Sequence, residues 1–440
     1  MSGLWKSGKR RPRLPAAFPT FPQAPLRPIL RCMQDRDLYA TLLGLTKPWN
    51  VTNVELKLTE LEVHVYVEHG DYAWECPECG RQSALYDHQP ERTWRHLDTM
   101  QYTTLLHARP PRVNCEEHGP RAARLPWADP KSRFTLLFER FAIDVLRMAS
   151  VDAAARLLRL SWDEAWRIKE RAVERGLARK PKVPPRYVGI DEKAFRAGQA
   201  SYMSIVSDLV KGTVEWVGPD RKAETVAEYF DQFTDEQLEK IDGFAMDMWR
   251  AYTKAVHDRF PDADSKIIYD RFHVTKEVNE ALDQIRKAEN RELLREGDDI
   301  LKGTKYLWLT SRENLKRRQS FTDLRRSKLK TARAWAIKEA LRDLWEYRSP
   351  SRAEQYWKKW YFWASHSRLQ PIIRAAKKLK KHEHRILNYF IHRITNAMAE
   401  SINGQIERLK RVANGFRNQK NFKTAILFHY GGLDLYPTTH

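Results

Sequence analysis

Between residues 51 and 128 apolar and polar positions alternate. VELKLTELEVHVYVEH (54–69) predicts a pair of half-buried strands, and QYTTLLHARPPRVNC (101–115) repeats the pattern around a Pro-Pro interruption. The period changes at 132–178, where FTLLFERFAIDVLRMAS, VDAAARLLRL and SWDEAWRIKERAVERG predict three helices. Ser161 is placed to cap the third, with Glu164 three positions on completing a capping box. KPKVPPR (180–186) predicts a stiff linker.

Alternation returns after the linker. YVGID, SYMSIVSDL and TVEWVGPDR predict three strands, the last two joined by a hairpin at Lys211-Gly212. ETVAEYFDQF predicts a helix, IDGFAMDM a strand, WRAYTKAVHDRF a helix, SKIIYD a strand and HVTKEVNEALDQIRKAENREL a long helix. The order β-β-β-α-β-α-β-α predicts a mixed sheet with helices on its faces. Residues 291–385 read as helical throughout, with six tryptophans (Trp308, Trp335, Trp345, Trp357, Trp360, Trp363) that suit a bundle core better than base stacking. One more helix is expected over ILNYFIHRITNAMAESINGQIERLKRVA, followed by a break at Gly415 and FKTAILFHY.

Charge changes the picture. The 440 residues carry 78 Lys+Arg against 57 Asp+Glu, a formal charge of +21. This points to a polyanion, nucleic acid before an anionic membrane, because the cations are scattered among Trp and Tyr rather than lining one amphipathic face. A 42 % apolar fraction over this length excludes disorder as the whole answer, and the chain shows neither a long apolar run nor a secretory leader. Residues 1–32 are basic, Pro-rich and without acids, which predicts a disordered arm that touches phosphates or lies upstream of a start at Met33.

Only four cysteines occur. Cys76-Pro-Glu-Cys79-Gly and Cys115-Glu-Glu-His118-Gly are two knuckles of equal spacing, and together they offer a Cys3His set for one structural Zn2+. His88, His96 and His107 lie between them and compete with His118; the spacing favours His118. A cysteine pair of this kind in a chain without an export signal fits a reducing cytosol. The capped third helix, with Arg167, Lys169, Arg171 and Arg175 expected on its exposed side, suits a helix-turn-helix that positions itself on DNA phosphates; a plain three-helix bundle gives the same pattern.

Asp191 is expected to end the first strand of the mixed sheet and Asp247 the fourth. Side by side, they would stand at one sheet edge. Glu400, on the last long helix, could pack back against that edge and complete a hard-oxygen site for two Mg2+ ions, with Mn2+ as a substitute. Glu192 should face the opposite side of its strand. Asp208, Asp242 and Asp270 rank lower.

These stretches resemble the ISL-three family of bacterial DDE-type insertion-sequence transposases. The likeness runs through YVGIDEKAF, AMDMWRAY, IIYDRFHVTKEVNEALDQIRK and NAMAESINGQIERLKRVANGFRNQKNFKTAIL, and through CPECG, WRHLD, CEEHG and LPWAD, covering roughly residues 33–430. The resemblance implies an α+β multidomain chain with a zinc ribbon (33–128), a helix-turn-helix (129–180), a ribonuclease H-like mixed-sheet core (181–290 and 386–440) and an all-α insertion (291–385). It implies the triad Asp191, Asp247 and Glu400, and places His273 beside it, either at a phosphate or as a structural hydrogen bond. The implied activity is Mg2+-dependent cleavage and strand transfer at terminal inverted repeats by a homodimer, in the cytoplasm at the nucleoid and away from membrane. Arg317, Arg318, Arg325, Arg326, Lys377, Lys378, Arg408, Lys410 and Arg411 are candidates to track phosphates. The alternative is an inactive, element-derived DNA-binding regulator.

Overall fold

The computed structural model describes residues 34–70, 73–196, 201–315, 321–322, 324–325 and 327–438. The basic arm, Arg317, Arg318 and Arg326 lie outside them. The chain forms two compact units, one ending at Thr135 and the other starting at Leu136.

The first unit opens with α1 (Asp35–Leu42) and contains β1 (Trp49–Lys57), β2 (Glu62–His69), β3 (Ala73–Glu75), β4 (Gln82–His88), β5 (Arg92–Arg95), β6 (Thr103–Ala108), β7 (Pro111–Cys115) and β8 (Gly119–Ala122). They make two four-stranded sheets, ordered β1-β2-β6-β5 and β3-β4-β7-β8. The Pro-Pro interruption is where the chain leaves the first sheet for the second: Pro110 lies between β6 and β7, and Pro111 is the first residue of β7, a strand position that proline tolerates. The alternate residues Val63, Val65 and Val67 of β2 are buried with Trp94, Leu106 and Trp127, so one face of the first sheet carries the core. The second sheet has almost no apolar interior of its own: β3 and β8 are largely exposed.

The second unit begins with three helices, α2 (Leu136–Met148), α3 (Val151–Leu158) and α4 (Trp162–Arg179). Ser161 and Glu164 make the capping box at the start of α4: the Glu164 N–H donates to Ser161 Oγ (3.3 Å) and the Ser161 N–H donates to Glu164 Oε2 (2.9 Å). A five-stranded sheet follows: β9 (Tyr187–Ala194), β10 (Tyr202–Asp208), β11 (Thr213–Gly218), β12 (Gly243–Met246) and β13 (Ile267–Tyr269), in the order β11-β10-β9-β12-β13. β9, β10 and β11 pair antiparallel; β12 pairs parallel with β9 and with β13. Gly212 closes the β10–β11 hairpin at φ +70°, a backbone angle that a side chain resists. β12 is buried along its whole length, as an inner parallel strand covered on both faces must be, and the edge strand β13 is buried as well.

The helices of this unit are α5 (Ala223–Phe230), α6 (Arg250–Arg259), α7 (Arg271–Arg295), α8 (Lys330–Asp343), α9 (Pro350–Ser365), α10 (Gln370–Lys380), α11 (Glu383–Leu387), α12 (Ala397–Val412) and α13 (Gln419–Tyr430), with shorter helical turns between them. One continuous core runs from Val188, Ile190 and Phe244 of the sheet to Trp308, Trp335, Trp357 and Trp360 of the helical region. Those four tryptophans are therefore packing residues; Trp363 is 41 % exposed. The N-terminus of α8 is capped from a distance. Glu289 accepts from the backbone N–H groups of Lys330 (2.6 Å) and Thr331 (2.7 Å), answering orphan helix donors with a carboxylate.

Two sequence expectations need correction. β9 does not end at Asp191: it stays paired with β10 to Ala194, and only its parallel pairing with β12 stops at Ile190. The single helix expected over 386–413 is broken. α11 ends at Leu387, Arg393 adopts φ +58°, and α12 starts at Ala397. The break turns the chain so that α12 can lie along β9 and bury Ala399 against Leu209 and Ala245.

Candidate metal and DNA-cleavage sites

The register of the central sheet assembles a row of acids. Ile190, Met246 and Tyr269 stand level on β9, β12 and β13. The next residue on each chain is an acid: Asp191, Asp247 and Asp270. Parallel strands carry such residues to one edge, the usual position of sites in open α/β sheets. Asp191 Oδ1 accepts the Glu192 N–H (2.7 Å) and Asp247 Oδ1 accepts the Trp249 N–H (3.0 Å). Burial raises the Asp191 carboxyl to about 6, and the neighbouring Asp247 charge adds to the effect. Burial likewise pushes Asp247 up.

α12 is tied to this edge. Asn403 donates from Nδ2 to Asp191 Oδ2 (2.7 Å), Lys193 donates from Nζ to the Asn403 carbonyl (3.1 Å), and Lys193 pairs with Glu407 (2.9 Å). Glu400 stands one helical turn before Asn403 on the same helix. It is exposed and lines a cavity of about 470 Å³ together with Asp270, Arg271 and Lys276. Partial desolvation in the cavity raises its carboxyl, and the Asp270 charge adds to this.

His273 sits between the two pairs of acids. Its Nδ1 lies 3.3 Å from Asp270 Oδ2. That bond raises the imidazole above its usual range despite burial, and the charges of Asp247 and Asp191 push the same way. Among the described residues, the three carboxylates Asp191, Asp247 and Glu400 do not form a group whose oxygens all lie within 4.8 Å of one another. Glu192, on the same strand, is paired with Arg221 (3.1 Å).

The four knuckle residues do converge. Ligand atoms of Cys76, Cys79, Cys115 and His118 lie within 4.8 Å of one another. Cys79 Sγ is 3.6 Å from Cys115 Sγ, and His118 Nδ1 is 3.6 Å from Cys115 Sγ and 3.9 Å from Cys76 Sγ. A tetrahedron with Zn–S near 2.3 Å and Zn–N near 2.0–2.1 Å has edges of about 3.6–3.8 Å, so the set fits a closed zinc site. Gly80 (φ +74°) and Gly119 (φ +65°) let both knuckles turn. The hydrogen bond from His118 lowers the Cys115 thiol to about 6, which favours the thiolate a metal needs. The competing histidines are used elsewhere or face water. His96 is buried against Thr135 (2.9 Å), His107 stands 2.8 Å from His64, and His88 is exposed.

The basic candidates divide. Arg167 is exposed on α4. The expectation that Lys169, Arg171 and Arg175 are exposed beside it is wrong. Lys169 is buried, while Arg171 (2.5 Å) and Arg175 (3.1 Å) both pair with the buried Glu139 of α2. They hold the helices together. Arg325, Lys377, Arg408 and Arg411 are exposed; Lys378 pairs with Glu277 (2.7 Å), and Lys410 donates to the Ala194 carbonyl (3.1 Å). Sequence reasoning missed Asn403, whose role shows only when α12 meets β9, and ranked Asp270 too low for its place in the row.

Comparison with known proteins agrees with this architecture. A transposase family model matches residues 188–426, the zinc-finger model of transposases IS204/IS1001/IS1096/IS1165 matches 73–118, and the helix-turn-helix model of transposase family ISL3 matches 123–173. The chain is 30 % identical over 354 residues to the transposase for insertion sequence element IS1001 of Bordetella parapertussis, covering 79 % of this chain and 86 % of that one. It is 28 % identical over 372 residues to the transposase for insertion sequence element IS1557 of Mycobacterium tuberculosis, covering 78 % and 82 %. The protein is a DNA-binding transposase, and it belongs to the ISL3 family of insertion-sequence transposases. Among the described residues no helix is long and apolar enough to cross a membrane.

Proposed function

We propose that Asp191, Asp247 and Glu400 form the DDE-type catalytic triad of this transposase, on a ribonuclease H-like core. The observation that carries this is the level register of β9 and β12, which sets Asp191 beside Asp247, together with the 2.7 Å bond from Asn403 that moors the helix bearing Glu400 to Asp191. The strand order of three antiparallel strands followed by two parallel ones supports the core assignment.

Mg2+ or Mn2+ bound by these acids would polarise the scissile phosphate and lower the pKa of an attacking water. The chain's own part is positioning. Asn403 orients Asp191, the backbone N–H groups of Glu192 and Trp249 fix one oxygen of each aspartate, and His273 offers a cationic donor to a phosphate oxygen. Water adds to phosphorus at the element end, and the 3′ oxygen leaves with a proton as a free hydroxyl. In the transfer step that hydroxyl attacks a target phosphodiester and a target 3′-OH departs, so one P–O bond forms for each one broken.

Cys76, Cys79, Cys115 and His118 hold one Zn2+ and thereby stabilise the ribbon, whose sheet buries little apolar surface. Ribbon and helix-turn-helix bind the terminal inverted repeats, with Arg167 at the DNA surface. Two ends held in one synapse require two copies of the chain, so the active form is a homodimer; the site of action is the nucleoid in the cytoplasm. The test is incubation of the full-length protein with duplex carrying the element's own ends in Mg2+ or Mn2+. Release of a 3′-OH at the end is expected; binding without cleavage in either metal would favour the inactive-regulator reading.

A further inference from the structure

A groove of about 910 Å³ opens where the first turns of α3 and α4 meet the end of α12 and the start of α13. Its floor holds Lys169, which is 3 % exposed. The ammonium lies 3.1 Å from His429 Nε2 and 4.6 Å from the centre of the Phe428 ring. Among the described residues no carboxylate pairs with it, and burial alone lowers it to about 7. A buried cation without a counter-charge is costly, and an arriving anion relieves that cost.

The rim supplies more cations and an aromatic platform. Arg147, Arg408 and Arg417 line it and are exposed. Trp162 is 45 % exposed, and its ring lies parallel to that of Trp166, with centres 5.3 Å apart and planes 2° apart. One face of Trp162 is thus backed by a second indole. Two acids, Asp152 and Asp163, also line the groove; Asp152 is engaged by Arg156 (2.8 Å).

We propose that this groove binds one unpaired nucleotide of a DNA strand, with its base stacked on Trp162 and its phosphate held by Lys169 and Arg408. The inference rests on the DNA-binding reading of the chain and is independent of the carboxylate site. A duplex keeps its bases stacked inside and has no face to offer Trp162, whereas an unpaired base does. The groove would hold a nucleotide exposed when an element end is opened or distorted.

The experiment measures binding of the full-length protein, in Mg2+-free buffer, to a labelled single-stranded oligothymidine and to a duplex of the same length. Trp162→Ala should weaken single-strand binding about tenfold, within the range of one lost stack, and leave duplex binding within about twofold. Lys169→Met should weaken it similarly and reduce the salt slope by about 0.7, the value for one phosphate on a single strand. Arg408→Gln, an exposed change that spares the fold, gives a third reading in the same direction. Unchanged single-strand affinity in all three variants overturns the proposal. An equal loss on duplex for Trp162→Ala overturns it too, as does inorganic phosphate competing as well as the oligonucleotide. A failure of the carboxylate assignment would show in cleavage and leave these affinities untouched.

Discussion

Asp191 is expected to be a stability liability, and Asp191→Asn measures how large. Its carboxyl titrates at about 6 against 3.8 for an ordinary aspartate, chiefly because it is buried. A difference of about 2 pH units corresponds to roughly 3 kcal/mol of native-state free energy. The sign follows from proton uptake. Between the two values the folded state keeps a proton that the unfolded state has released, so stability falls as pH rises from about 4 to about 6 and stays low above that. Asparagine removes the charge and still accepts the Asn403 bond, but it gives up one of two acceptor oxygens. That loss costs about 1 kcal/mol, so the net gain at pH 7.5 is about 2 kcal/mol. Denaturant unfolding of wild type and Asp191→Asn in Mg2+-free buffer from pH 4.5 to 8 gives the difference directly. The gain should be near zero at the acid end and level off above about pH 6.5. Added Mg2+ should then stabilise the wild type alone, by about 1.4 kcal/mol at ten times its dissociation constant. A variant that is less stable than wild type at pH 7.5, or a difference that does not change with pH, would refute the reasoning.

Three further predictions follow from particular contacts. Cys76→Ser should lose about one zinc per chain by metal analysis; unchanged zinc content contradicts the four-ligand set. Glu139→Gln leaves Arg171 and Arg175 without their buried counter-charge and should cost about 3–5 kcal/mol in unfolding experiments, whereas Arg167→Ala should leave stability within about 0.5 kcal/mol and weaken end binding. Asn403→Ala should slow cleavage at least tenfold while end binding stays as in wild type, and Asn403→Gln should not restore the rate, because the longer side chain misplaces the amide.

Much of this architecture is legible in the sequence because it rests on local rules. The knuckle spacing, the capping box at Ser161 and the switch between periods of two and 3.6 mark the zinc set, the helices and the central strands. Lys169 was misplaced although the helix carried the signal. It falls among Ala165, Ile168, Ala172 and Val173, the apolar stripe of α4, and so belongs on the buried face despite its charge. Arg171 and Arg175 are different. Their partner Glu139 lies more than 30 residues away, and no spacing along α4 reveals it. The break before α12 has no proline or glycine to announce it, and it is that break which brings Asn403 to Asp191. Asp270 stands in the acid row only through the pairing of β12 with β13, a register that a three-residue strand does not declare.

The most direct test of the carboxylate assignment is strand cleavage by Asp247→Asn at the element's own ends in Mg2+, with binding to the same duplex measured in parallel. The account predicts end binding close to wild type and no free 3′-OH produced. A variant that still cuts at a comparable rate would place the chemistry somewhere other than beside Asp191 and Asp247.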